Sequence, residues 1–439
     1  MFVMTNELRE YLYLKNPWWQ GREFEVGVLR ERYLTQLQAR FVTELIQIVT
    51  GLRRVGKSTL VLQLIDSLLK KKAVRPQDVL FFSAEEPALN KLSFTQVINW
   101  FRAERNLAIA DKIYVFVDEV QTREGWEAEI KSLYDTQNIK FVLTGSSAML
   151  LSERLSLLTG RYLKTRVYPL SFREYLKFLN VKAGQLEQFR LQSYLEKYLM
   201  VGGMPEFVLS QVDGYLETTV ESILFKDLVT KFAIRNPAIL TELLLLLADR
   251  VATPTSALKL SKILQTSKDS VADYLEYLKQ TFLVDTLSSF STSRNKIIYN
   301  PDKYYFEDLG ILNRYASKHD LGASAENALF SYLRQNLGNK LRLKWGYWHE
   351  RKNELDFIIS DTDGWEVFES KWVGQVGEIS FKPLEKLLDQ AGEVSKNHPL
   401  HLSKLKQITY ATANVETRVK IKGVAVRLVP LRLLLTHAF

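Results

Sequence analysis

Two groups of residues in this chain have the types and spacing to do chemistry. The first begins at Gly51-Leu-Arg-Arg-Val-Gly56-Lys57-Ser58. Glycine, four residues, then Gly-Lys-Ser lets backbone N–H groups turn inward around phosphate oxygens at the start of a helix. Lys57 is expected to place its charge on the β and γ phosphates of ATP, and Ser58 to offer its hydroxyl to Mg²⁺. Arg53, Arg54, Val55 and Thr59 belong to the same expected nucleotide contact, with Arg53 and Arg54 either adding charge there or facing solvent. Tyr114-Val-Phe-Val leads into Asp118-Glu119. Asp118 is expected in the Mg²⁺ shell, and Glu119 is placed to orient and deprotonate an attacking water. Ser146, with Thr144 as its rival, follows the next apolar run and suits a polar group holding that water. Arg161 is read either as an arginine serving a neighbouring subunit's nucleotide or as a surface ion pair.

The second group is Glu354-Leu-Asp356 and Glu369-Ser-Lys371, on either side of Asp361-Thr-Asp-Gly364. If those four residues form the turn of a hairpin, Ser360 faces Trp365. Asp356 then faces Glu369, and Glu354 faces Lys371. Side chains two apart share a face, and opposed side chains lie about 5 Å apart. Two carboxylates that close need a metal ion or a proton to compensate them. Glu326 falls on the apolar face of a helix with Phe330, Leu333 and Leu337, where an unpaired carboxylate is costly. One reading makes Asp356, Glu369 and Glu326 a Mg²⁺ or Mn²⁺ site, with Lys371 steering the attacking water in phosphodiester cleavage. The other reading is a set of cross-strand ion pairs, Glu354 with Lys371 foremost.

The elements that must hold these residues can be read from periodicity. Residues 44–50, 79–83, 113–117 and 140–143 are short apolar strands alternating with helical stretches, including 58–70 with Leu60, Leu64 and Leu68 on one face. Alternation of this kind implies an α/β fold with a mostly parallel sheet. From Pro169 the pattern turns helical, with Ser171 to Glu174 as a capping box and a break at Gly202-Gly203-Met-Pro205. Residues 239–249, 256–264 and a helix capped by Thr266 through Asp269 precede strands at 283–290 and 297–306. That order predicts a winged helix. Strands at 353–360 and 365–373 belong to a last α/β unit.

With 439 residues, two to four domains are expected. The expected organisation is an arm at 1–40, an ATPase core at 41–168, a helical lid at 169–236, a winged helix at 237–310 and a nuclease-like domain at 311–439. No run of eighteen apolar residues occurs, so no membrane span is expected. The first residues lack the pattern of a secretory leader. Cysteine is absent, which excludes thiolate metal sites and disulfides and fits a cytoplasmic location. Five His make a His-rich zinc site an unfavourable reading. The net charge of +9 permits DNA binding without requiring it.

The residues 51–58, Val117-Asp-Glu-Val-Gln121 with Trp126, Leu143-Thr-Gly-Ser-Ser147, Tyr168 to Tyr175, Gly202 to Pro205 and Tyr305 to Gly310 resemble one group of proteins. These are the prokaryotic AAA-type ATPases with a winged helix and a C-terminal PD-(D/E)xK nuclease-like domain. The resemblance covers roughly residues 40–375. It implies a P-loop ATPase sheet with a helical lid, a winged helix and a restriction-endonuclease-like α/β domain. Lys268, Arg294 and Lys296 are the expected nucleic-acid contacts, although Asp269, Asp273 and Glu276 on the same helix suit a protein contact instead. The function expected is an ATP hydrolase acting on DNA as a homo-oligomer, hexamer or smaller, with a metal-dependent nuclease site. The alternatives are a nucleotide-controlled protein whose C-terminal domain binds without cutting, and a remodeller of other proteins.

Overall fold

The structure, a computed structural model, describes residues 6–89, 91–146, 155–234, 236–291, 293–337, 343–396 and 398–436. The chain divides into two units. The first comprises residues 1–168 with 280–282, and the second 169–279 with 283–439.

In the first unit five parallel strands form one sheet: β1 (Ile46–Thr50), β2 (Val79–Ser83), β3 (Ile113–Asp118), β4 (Ile139–Gly145) and β5 (Tyr162–Arg166). Their order is β2-β3-β4-β1-β5. β1 and β4 are buried at every position, as strands covered on both faces must be. The helix Lys57–Lys70 starts directly from the loop after β1 and buries Leu60, Leu64 and Leu68. β5 lacks an apolar run. Tyr-Leu-Lys-Thr-Arg is only partly buried and sits at a sheet edge.

The opposite edge, β2, is tied down by the N-terminal segment. Asn16 is fully buried, and its amide donates to the Phe81 carbonyl at 2.8 Å and accepts from the Phe81 N–H at 2.6 Å. The indole N–H groups of Trp18 and Trp19 both donate to the Val79 carbonyl. These bonds occupy edge groups that would otherwise be open to another strand.

The second unit begins with helices Phe172–Phe178, Gln188–Val201, Pro205–Ser210 and Tyr215–Ser222. Ser171 and Glu174 form the reciprocal cap of the first. Helices Pro237–Ala248, Ala257–Ile263 and Lys268–Gln280 follow, then an antiparallel pair, β6 (Val284–Leu287) with β7 (Lys303–Phe306). Within the expected capping run 266–269, Ser267 accepts the Ser270 N–H at 2.9 Å. One local expectation changes here. The strand expected from residue 297 starts at Lys303, because Arg294–Tyr299 is a helical turn.

The last part is a six-stranded mixed sheet: β8 (Lys344–Glu350), β9 (Asn353–Ser360), β10 (Trp365–Lys371), β11 (Leu405–Thr412), β12 (Thr417–Ile421) and β13 (Val424–Pro430). Its order is β12-β13-β11-β10-β9-β8. Helices Leu321–Leu337 and Lys382–Glu393 accompany it. Among the described residues no helix is long and apolar enough to cross a membrane.

Candidate functional site

β4 lies between β1 and β3, so the phosphate loop after β1, the end of β4 and the acidic pair after β3 share one edge of the sheet. This is the carboxyl edge, where open parallel sheets bind ligands. Gly51 has φ +153°, and a Cβ there would lie 2.1 Å from the Val167 carbonyl oxygen. Only glycine fits. Arg54 and Gly56 also have left-handed backbone, which closes the loop onto the helix start. Arg30 braces the loop from beneath. It is buried and donates to the carbonyls of Val55 and Tyr168 at 3.2 and 2.9 Å.

Lys57 is buried at 3% exposure, and its ammonium donates to the carbonyls of Gly51 and Leu52, each at 3.2 Å. It also lies 3.5 Å from the Glu119 carboxylate. Ser58 donates to Asp118 Oδ2 at 2.7 Å. Thr144 donates to Asp118 Oδ1 and accepts the Glu119 N–H at 3.0 Å. Ser146 receives the amide of Gln121 at 3.1 Å, and the same Gln121 nitrogen donates to Glu119 Oε2. The two rivals therefore divide the work: Thr144 supports Asp118 and the Glu119 backbone, while Ser146 meets the Glu119 carboxylate both directly and through Gln121. Glu119 itself is held at φ +50°, a left-handed conformation uncommon for a non-glycine residue.

The electrostatics separate the two acids. Burial, then the charge of Glu119, pushes the Asp118 carboxyl up, against bonds from Thr144 and Ser58. Burial also pushes Glu119 up, but Lys57, Gln121, Ser146 and Arg53 together hold it below its ordinary value. The Ser58 hydroxyl and the Asp118 carboxylate converge as hard oxygen donors, the chemistry Mg²⁺ takes. Arg53 pairs with Glu85 at 3.5 Å. Val55 is buried, and Arg54 and Thr59 are exposed.

Arg161 is placed elsewhere. It precedes Tyr162, which pairs with Ile46 at the entry of β1, the end of the sheet opposite the phosphate loop. Its guanidinium donates to Asp135 at 3.0 Å.

In the second unit the hairpin pairs Ser360 with Trp365 and continues to Phe357 with Phe368. Beyond that point carboxylates replace the ladder. The Asp356 N–H donates to Glu369 Oε2 at 2.8 Å, and the Ser370 N–H to Asp356 Oδ2 at 2.9 Å. Lys371 pairs with Glu369 at 2.6 Å. The expected Glu354–Lys371 pair does not form. Glu354 instead meets Lys303, 2.7 Å away, and Lys303 also contacts Glu326 at 2.9 Å and Asp356 at 3.2 Å. Lys303 is fully buried, and Tyr305, two residues on along β7, donates to Glu326 at 2.8 Å.

The ammonium of Lys303 thus stands where Glu326, Glu354 and Asp356 converge. Among the described residues no set of three or more His, Cys, Asp or Glu side chains is arranged to hold a metal ion. This arrangement does not fit the Mg²⁺ or Mn²⁺ expected at Glu326, Asp356 and Glu369. A lysine already supplies the compensating charge. Burial and the neighbouring Asp356 still raise Glu326 to about 7 and Glu369 to about 8.

Lys268 is exposed at the start of its helix. Arg294 and Lys296 lie on the helical turn Arg294–Tyr299, and their side chains fall outside the described residues. Sequence reasoning missed Arg30, Gln121 and Lys303 as site residues. Gln121 stands next to the acidic pair in Val117-Asp-Glu-Val-Gln121, whereas Arg30 and Lys303 carry no local signal.

Residues 43–176 match the AAA domain family, and residues 192–324 match a domain of unknown function, DUF8612. An uncharacterized protein of Haemophilus influenzae is 30% identical over 351 residues, which cover 76% of this chain and 84% of that protein. The uncharacterized protein MJ1544 of Methanocaldococcus jannaschii is 28% identical over 339 residues, 74% of each chain. Among solved structures, the Aeropyrum pernix ORC1 protein in complex with DNA is similar at 13% identity and a TM-score of 0.30, over 70% of this chain and 96% of that one. Likeness at that level supports no functional reading. The identity and coverage of the first relative are decisive: the chain belongs to the same family as the Haemophilus influenzae protein, and it carries an AAA domain at residues 43–176.

Proposed function

We propose that the chain hydrolyses ATP at the carboxyl edge of its parallel sheet. The observation that carries this is the convergence of Lys57 and Ser58, at the start of the helix after the phosphate loop, with Asp118 and Glu119 at the end of β3. Ser58 and Asp118 would hold a Mg²⁺ ion bound with ATP, and that ion would supply charge neutralisation at the β and γ phosphates. Lys57 exchanges its bonds to the Gly51 and Leu52 carbonyls for phosphate oxygens. That exchange also withdraws Lys57 from Glu119, so the Glu119 carboxylate becomes the acceptor for a water proton. Thr144 keeps Asp118 and the Glu119 backbone in place throughout.

Phosphate release by the purified chain tests this. Wild type should turn over ATP, Lys57→Ala should lose both binding and turnover, and Glu119→Gln should bind without turning over. Turnover that survives Lys57→Ala would remove the phosphate loop from its role.

DNA is the partner the reading favours, supported by the net charge of +9 and the exposed Lys268. Neutralising Lys268, Arg294 and Lys296 together should weaken DNA binding at low salt and flatten its salt dependence. Unchanged affinity would redirect the winged-helix region to a protein partner. Cutting is not part of the proposal, because Lys303 occupies the convergence point of the carboxylates. The C-terminal domain is read as one that binds without cutting. Plasmid cleavage in Mg²⁺ or Mn²⁺ that disappears in Asp356→Ala would overturn that reading.

A further inference from the structure

We infer that Gln121 is a third member of the water-activating set, holding Glu119 and Ser146 together and offering its own carbonyl oxygen to the attacking water. This deepens the ATPase reading and rests on it. Gln121 lies two residues beyond Glu119, on the short turn Val120–Thr122 that follows β3. Its Nε2 has two hydrogens, and both are used, one on Glu119 Oε2 and one on Ser146 Oγ. The amide therefore bridges the ends of β3 and β4, beside the Glu119 carboxylate that lies 3.5 Å from Lys57.

Its Oε1 is the informative atom. It is buried and has no hydrogen-bond partner among the described residues. A buried acceptor without a donor is destabilising. Such a cost persists where a partner arrives with the substrate. A water between Glu119 and the γ-phosphate has two hydrogens to place. Glu119 accepts one and Gln121 Oε1 accepts the other, which turns the oxygen lone pair toward phosphorus. In the step itself the water O–H bond breaks and its proton passes to Glu119. The new O–P bond forms as the β,γ-bridging P–O bond breaks, and ADP keeps the bond's electron pair. Gln121 takes no proton. Its contribution is orientation of the water and of the carboxylate.

Glutamine suits this task where glutamate does not. A carboxylate at position 121 would have no donor for Glu119 and Ser146, and would repel Glu119. Alanine would remove both the bridge and the acceptor.

The test compares steady-state ATP turnover and equilibrium binding of a fluorescent ATP analogue for wild type, Gln121→Ala, Gln121→Glu, Glu119→Gln and Glu119→Gln/Gln121→Ala. Loss of one preorganised polar group in a water-excluded site typically lowers turnover roughly 10²-fold. Gln121→Ala and Gln121→Glu should both show that loss in kcat, with KM and analogue affinity within about twofold of wild type by the same principle. The double variant should be no slower than Glu119→Gln alone, because Gln121 acts on the water that Glu119 activates. Wild-type kcat in Gln121→Ala overturns the inference and leaves the ATPase reading standing, as does a full additive loss in the double variant. No turnover by wild type overturns both. Failure of Gln121→Ala to bind the analogue, where Gln121→Glu binds and turns over normally, assigns Gln121 to folding and overturns the inference.

Discussion

Replacing Lys303 with methionine tests the central feature of the C-terminal cluster. The wild-type ammonium has no solvent exposure and spends its three hydrogens on Glu326, Glu354 and Asp356 at 2.9, 2.7 and 3.2 Å. Methionine fills the volume and removes the charge. Glu326 and Asp356 then share an interior with Glu369, whose own counter-ion is Lys371. Breaking a buried pair from one side costs about 3–5 kcal/mol. The penalty depends on pH, and its sign follows from the carboxyls. Glu326 sits at about 7 and Glu369 at about 8, both raised by burial and by Asp356. Without Lys303 the Glu326 value rises further. A carboxyl whose folded pKa exceeds its unfolded one binds more protons when folded. The stability it costs at high pH is therefore recovered as pH falls through the folded value. Each such group contributes about 1.4 kcal/mol per pH unit. The Lys303→Met deficit should be near its full value at pH 8.5 and shrink by about 1–3 kcal/mol at pH 6. Urea unfolding of both chains at the two pH values, followed by a probe in the second unit, measures it. A deficit below about 1 kcal/mol at pH 8.5, or one that grows toward pH 6, would refute the idea that Lys303 is the cluster's counter-ion.

Further outcomes follow from the same geometry. Millimolar Mn²⁺ should raise the unfolding midpoint of Lys303→Ala and leave the second unit of wild type unchanged, since a small side chain opens the cation position; an equal shift in both would show that the lysine does not occupy it. Glu119→Gln should lower ATP turnover by about 10²–10⁴-fold while retaining ATP binding, read by phosphate release and by analogue titration. Arg161→Ala should keep turnover within about twofold and change stability by under about 1 kcal/mol, because its partner Asp135 lies with it near the protein surface; a hundredfold loss of turnover would restore Arg161 as the residue serving a neighbouring subunit. Asn16→Ala should destabilise the first unit by about 2–4 kcal/mol in thermal or urea unfolding, since it strands the buried N–H and carbonyl of Phe81.

The nucleotide loop is legible in sequence because its chemistry is local. Gly51, Gly56, Lys57 and Ser58 are neighbours, and the backbone geometry they need is set by glycine itself. The acidic pair is legible for a related reason: a run of apolar residues ending in two carboxylates identifies a buried strand and its exposed edge together. β5 was not legible, because Tyr-Leu-Lys-Thr-Arg at a half-exposed edge has no apolar pattern. The hairpin register at Ser360–Trp365 followed from counting, since side chains alternate strictly along strands. Counting predicted where Asp356 and Glu369 stand, but not what neutralises them.

What neutralises them arrives from β7. Lys303 is 23 residues from Glu326 and 53 from Asp356 in the chain, and the run Lys-Tyr-Tyr-Phe reads only as a short strand. Alternation along β7 puts Lys303 and Tyr305 on one face, and both side chains reach Glu326. The same alternation puts Glu354 with Asp356 on β9 and Glu369 with Lys371 on β10. Three strands, each obeying a local rule of two, therefore build a cluster that none of them announces. Such a cluster has one requirement, that its summed charge be tolerable in the interior, and a divalent ion or a lysine meets it equally well on paper. A divalent ion leaves when chelated, whereas a lysine is fixed by its backbone. The second unit should accordingly keep its stability in EDTA, and loss of its unfolding transition on chelation, with Lys303 present, would mean that a metal ion and not the ammonium holds these carboxylates together.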